Sequence, residues 1–190
     1  MHTELCCQAH EPAHPGIVTI MDDLVRTMNA AASPENARAL TRYFKVSPGS
    51  YGEGDICIGL KLGELRQLAR PYLSSSFDAD QWLPMLRSPI HEHRMITLIV
   101  MSERAKKLIK RDDDDELRLI YDTYLDNTGY VNNWDLVDVS CGSIVGVTCS
   151  IATGRRSTRW LARTCCGTAG LRWLRVNASW LAVKRTTSTN

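Results

Sequence analysis

Helix-start signals recur along this chain with no strand-like alternation between them, and that recurrence limits its folds more than any other feature. Ser33-Pro34-Glu35 supplies an N-cap, a proline at the first helical position and an early acid for a helix running to about Phe44. Asp78 or Asp80 can open a helix containing Trp82, Leu83 and Leu86. Ser88-Pro89 repeats the cap-plus-proline start before a long helix, in which Met95, Ile96, Leu98, Ile99, Ala105, Leu108 and Ile109 recur at helical spacing and mark a core face. Asp112 to Glu116 puts carboxylates on the first turn of the next helix, where they complement its dipole; the run reads as a solvated start, with Leu117, Ile120, Tyr121 and Tyr124 as the apolar side. Met21 to Ala32 and Leu62 to Ala69 are shorter candidates, and Ser47 to Asp55 is a turn-rich loop. Short helices joined by short turns predict an all-α array of solenoid character.

A chain of 190 residues, 44% hydrophobic and 23% charged, can bury one good core and predicts one domain. No segment approaches eighteen consecutive apolar residues, and Met1 to Cys7 lacks the basic and apolar regions of a secretion signal, so a cytoplasmic chain without membrane attachment is the expectation from sequence, taken as a monomer. Seven cysteines form no regular framework and read as reduced thiols. Residues 1–20, with His10, Pro12, His14, Pro15 and Gly16, read as a flexible leader.

Asn132-Asn133-Trp134-Asp135-Leu136-Val137-Asp138 says most about function. Asn132 or Asn133 can cap a helix on which Trp134 and Asp138, four residues apart, lie one above the other. An indole beside a carboxylate attracts a planar cation, through the ring quadrupole and through Coulomb attraction. Asp135, one residue from Trp134, is expected to point elsewhere. The plain alternative is a core Trp beside a surface Asp.

Other motifs carry less. His10-Glu11-Pro12-Ala13-His14 matches the zinc-protease pattern H-E-x-x-H, but an internal proline and the following Pro15-Gly16 remove the helix that the chemistry needs. His91 and His93 are two apart and project from different sides of a helix, which argues against joint metal ligation. Cys165-Cys166 lacks C-x-x-C spacing, and the loop from Gly49 to Gly54 lacks the Lys-Ser/Thr and the preceding strand of a P-loop. No metal or cofactor is expected.

Several segments together resemble one family, the AlkD-like DNA alkylation repair enzymes. They are Tyr43-Phe44-Lys45; Tyr51-Gly52-Glu53-Gly54-Asp55 with Ile58-Gly59-Leu60 and Glu64-Leu65-Arg66; Ser88-Pro89-Ile90-His91-Glu92; and Asn127-Thr128 with Asn132 to Asp138. The resemblance runs from about residue 21 to Gly146. It implies a HEAT-like αα-superhelix, a solenoid of antiparallel helix pairs over 21–146 that is incomplete at its C-terminal side. It also implies metal-free hydrolysis of the N-glycosidic bond of cationic N3- or N7-alkylated purines in duplex DNA. In that reading Asp138 matches the catalytic carboxylate and Trp134 an aromatic that contacts the nucleotide, while Tyr43, Lys61 and Arg66 fall at positions that face DNA. The rival is a non-enzymatic HEAT-like scaffold for DNA or a protein, which has no need of a carboxylate under an aromatic.

The segment 147–190 departs from this pattern. All 21 acidic residues fall at or before Asp138, whereas the chain from Cys141 onward holds eight Lys/Arg and no acid; the body is −6 and the tail +8. Such a tail can bind nucleic acid, but three of the five Trp and four of the seven Cys fall in it without helical period. Read from the third nucleotide of each codon, degenerate codons for Thr164 to Leu174 can encode Leu-Leu-Trp-Asp-Arg-Arg-Ile-Ala-Met-Val, a Leu-Trp-x-Arg-Arg-Ile-Ala segment of the kind that the resemblance leads one to expect. The same frame over Ser150 to Arg163 permits a second family-like segment. A frameshift close to residue 147 is therefore expected, leaving an aberrant basic tail that packs poorly.

Overall fold

The structure is a computed structural model that describes residues 20–50, 52–111 and 113–146. The leader with its H-E-x-x-H motif and the segment 147–190, and so the expectation about its packing, lie outside those residues. Among the described residues seven α-helices follow one another: α1 (Ile20–Ala30), α2 (Pro34–Tyr43), α3 (Leu62–Ala69), α4 (Ala79–Leu86), α5 (His91–Arg111), α6 (Asp114–Asp126) and α7 (Trp134–Cys141). Short 3-10 turns fill Arg70–Leu73 and Thr128–Tyr130, and a π-turn at Gly142–Gly146 continues α7. No strand forms among the described residues, where the β-pairing is one parallel bridge between Ile56 and Ile90. The fold is all-α, of the helical solenoid class.

The expected caps form. Ser33 Oγ accepts from Asn36 N at 3.3 Å with Pro34 behind it, and Asp78 Oδ1 accepts from Asp80 N at 3.0 Å. Ser88 Oγ accepts from Ile90 N at 3.1 Å, yet α5 begins only at His91, two residues beyond the proline. The bridge is the cause: Ile56 N donates to Pro89 O and His91 N to Ile56 O, both at 2.9 Å, which holds Ile90 extended.

Helix α5 is the spine, with α3, α4, α6 and α7 packed around it. Every residue from His91 to Ser102 is buried, so the core face expected from its apolar stripe is in fact a whole circumference that includes His91, Glu92, His93, Arg94 and Thr97. Each fully buried aliphatic side chain, such as Ile96 or Leu98, contributes about 1.5–3 kcal/mol, but a buried charge stabilises only if it is paired. Pairing is what the structure supplies. Arg104 meets Glu116 through Nε at 2.9 Å and Nη2 at 2.6 Å, and Glu116 Oε1 also accepts from Phe77 N at 2.7 Å. Glu116 therefore does not belong to a solvated helix start, as its place in the acidic run predicts; it ties α6 to α5 and to the entry of α4, while Asp113 and Asp115 do remain exposed.

Candidate functional site

The segment before α3 is shaped by one buried carboxylate. Glu92 Oε1 accepts from Gly59 N at 2.8 Å and from Ile58 N at 3.1 Å, and Oε2 lies 3.0 Å from Ile58 N. Ile58 O in turn accepts from Ser33 N at 3.0 Å, so the segment is strung between α5 and the start of α2. Gly59 is required at this crossing: its φ is +93°, and a Cβ there would stand 2.1 Å from Ser33 O. The segment runs into α3, whose start Glu64 stabilises by accepting from Lys61 N at 2.6 Å, and this places Lys61, Leu62, Leu65 and Arg66 along one wall of a cleft.

Helix α7 supplies the facing wall. Asn133, not Asn132, caps it, accepting from Trp134 N at 2.8 Å. Trp134 and Asp138 then lie one turn apart and both line the cleft, which encloses about 350 Å³ with Leu40 and Phe44 of α2 and His91, Glu92 and Met95 of α5 completing it. The Tyr43 ring, 61% exposed, meets the Trp134 indole edge-on at 5.6 Å, and Phe44 lies 6.2 Å from the same indole. The structure thus brings Trp134, Asp138, Lys61 and Arg66 to one cleft, with Tyr43 against the indole beside it. Asp135 corrects the sequence reading: it lines the same cleft. The cleft wraps far enough around the start of α7 to take in a residue one step, about 100°, away from Trp134.

The carboxylates of this cleft are not alike. Asp135 Oδ1 accepts from Leu136 N at 2.8 Å and its Oδ2 lies 2.8 Å from His91 Nε2, so both oxygens are engaged. Glu92 is consumed by the segment before α3. Asp138 is exposed and makes no hydrogen bond or ion pair among the described residues. Beneath them Asp55 is buried: burial alone would raise its carboxyl, but hydrogen bonds from His91 and Asn132 and the positive charge of Arg94 hold it at about 2. Arg94 Nη2 approaches Asp55 Oδ2 to 2.5 Å in an ion pair, and Asn132 Nδ2 donates to Oδ1 at 3.0 Å.

Sequence reasoning assigned no site role to His91, Asp55 or Asp135, and considered Asn132 only as a helix cap. Their signal was a polar cluster, His91-Glu92-His93-Arg94, at the start of a helix that continues into an apolar stretch, but the partners of His91 and Glu92 lie 33 to 44 residues away and no local period reveals them. His91 and His93 do part company, since His93 Nδ1 faces Ser88 Oγ at 3.1 Å. Among the described residues no three His, Cys, Asp or Glu side chains converge as metal ligands, and no helix is long and apolar enough to cross a membrane.

The profile of a protein family described as DNA alkylation repair enzyme matches residues 24–164. That span contains the whole cleft and continues beyond Gly146, where the resemblance read from the sequence stops. No curated protein and no solved structure gives a match.

Proposed function

The chain belongs to the DNA alkylation repair enzyme family, and we propose that its cleft is that of a DNA glycosylase with a HEAT-like architecture, acting as a monomer in the cytoplasm on duplex DNA that carries N3- or N7-alkylated purines. The observation that carries this reading is Asp138, the carboxylate of the cleft that folding leaves unused, one turn from the Trp134 indole. Its neighbours sort by charge. Glu92, Asp135 and Asp138 outnumber His91 on the α5 and α7 side, whereas Lys61 and Arg66 stand on α3. A cationic base and its sugar are drawn to the first side and backbone phosphates to the second.

The reaction is a hydrolysis. The C1′–N bond breaks, its electron pair neutralises the alkylated purine as it leaves, and a water oxygen bonds to C1′ while its proton passes to Asp138 or to solvent. As the bond lengthens the sugar acquires oxocarbenium character, which an ionised carboxylate beside it stabilises and whose attacking water it orients. Trp134 and Tyr43 supply a rigid aromatic surface for the nucleotide. Nothing in the chemistry calls for a metal or cofactor. We further propose that a frameshift near residue 147 separates this domain from an aberrant basic tail, so that groups positioning the duplex are missing.

The test is release of N7-methylguanine or N3-methyladenine from methylated duplex DNA by the full chain and by Asp138→Asn. Loss of about 10²-fold in rate with duplex binding retained is the expected result. Equal rates above the spontaneous one would refute the role of Asp138, and no release by the full chain, with binding retained, would leave a non-enzymatic HEAT-like DNA scaffold as the function.

A further inference from the structure

Residues from four parts of the chain meet beneath the cleft. His91, the first residue of α5, has a side chain only 2% exposed and stacks on Phe44 with centroids 4.4 Å apart and 26° between planes. Its Nε2 lies 2.8 Å from Asp135 Oδ2 and its Nδ1 3.4 Å from Asp55 Oδ2, so one ring nitrogen faces each of two carboxylates, the half-buried Asp135 and the buried Asp55. Asp55 precedes the segment that leads into α3. Asp135 sits on the first turn of α7, between Trp134 and Asp138, and Asn132 also reaches from the entry of α7 to Asp55.

We propose that His91 is a positioning residue for base release: by bridging Asp55 and Asp135 it clamps the segment before α3 to the first turn of α7, and so sets the direction in which Trp134 and Asp138 face the cleft. The role rests on the glycosylase reading, whereas the clamp itself can be observed without any activity.

The bridge depends on a proton. A neutral imidazole has one N–H and one lone pair, so it can donate to only one carboxylate and must turn its lone pair toward the other. Titratable groups surround the ring: Asp55 and the Cys57 thiol, which burial pushes up to about 11 and so keeps neutral, belong to the segment before α3, Arg94 to α5 and Asp135 to α7, while Glu92, Asp138, Lys61 and Arg66 line the same cleft. Burial works against the charged ring and Arg94 repels it, but hydrogen bonds to Asp135 and Asp55 prevail and push its pKa up to about 9. Across the neutral range His91 is an imidazolium that serves both carboxylates; above about pH 9 it must release one of them.

Two readouts on the full chain test this. In nuclear magnetic resonance titrations the His91 ring should titrate near pH 9, well above its ordinary 6.5, and the Trp134 indole N–H signal should shift with the same midpoint. His91→Gln should abolish that shift of Trp134, and Asp135→Asn should lower the His91 midpoint by about one unit or more. If the glutamine variant fails to fold, Asp135→Asn still reports the coupling. In base-release assays kcat should fall above pH 9 and, in Asp135→Asn, at lower pH, with KM for the duplex changed less than about twofold because Lys61 and Arg66 are untouched. A His91 midpoint at or below 6.5, or a Trp134 signal indifferent to it, overturns the clamp. Absence of base release from every form at every pH defeats the glycosylase reading instead, while the titration still decides the clamp.

Discussion

At the scale of single residues, side chains that serve stability stand apart from the one left for chemistry. Asp138 is exposed and unpaired, so Asp138→Asn should leave unfolding in urea unchanged within about 0.5 kcal/mol. Gly59→Ala should behave in the opposite way. A left-handed φ of +93° and a Cβ thrust to 2.1 Å from Ser33 O should cost at least about 2 kcal/mol, and an unchanged urea midpoint would contradict the crossing described for that segment. His91 adds a pH dependence whose sign is fixed. Its folded pKa of about 9 lies above the ordinary 6.5, so its stabilisation is complete below pH 6.5 and is lost as pH rises through 9. The loss is on the order of 3 kcal/mol across that window, and urea titrations of wild type and His91→Gln at pH 6 and pH 10 measure it. Stability that does not fall from pH 6 to pH 10 would remove the imidazolium.

At the scale of elements, what the sequence disclosed followed from local chemistry. The caps of α2, α4 and α7 and the full span of α3 were legible because a cap, a proline or an apolar repeat lies within a few residues of what it controls. The pairing of Trp134 with Asp138 was legible for the same reason, being a matter of helical spacing. Helix α5 was legible only in part: its apolar stripe is there, but Glu92, Arg94 and Arg104 are buried against groups far along the chain, and the same distance hid the role of Glu116. Asp135 was misread because one helical step of about 100° turns a side chain out of a narrow site, whereas a cleft that wraps α7 admits both. Helix α3 carries the electrostatic prediction of this scale. Removing both cations of its wall, as Lys61→Ala with Arg66→Ala, should weaken binding to duplexes of every sequence and reduce the salt slope of log Kd by about two. An unchanged slope would mean that this wall does not face phosphate.

At the scale of the whole molecule, a body of charge −6 and a tail of +8 share one chain. Two observations pull apart over that tail: the family match continues in frame to residue 164, while the alternative frame offers family-like segments from Ser150 to Leu174. The nucleotide sequence decides between them. If the frame slips near residue 147, a chain with the frame restored should release alkylated base at least about tenfold faster than the present one, because a carboxylate acts only on a duplex held in near-attack geometry. Equal rates would show that the tail as it stands completes the site. The central claim, that Asp138 stabilises a positive charge developing on the sugar, is tested most directly by binding alone. Duplex DNA in which a pyrrolidinium ring replaces one deoxyribose is a stable mimic of that cation, and a neutral tetrahydrofuran at the same place is its control. The chain should bind the cationic duplex at least about tenfold more tightly than the neutral one, and Asp138→Asn should erase the difference; equal affinities in the wild-type chain, or a preference that survives Asp138→Asn, would contradict the account.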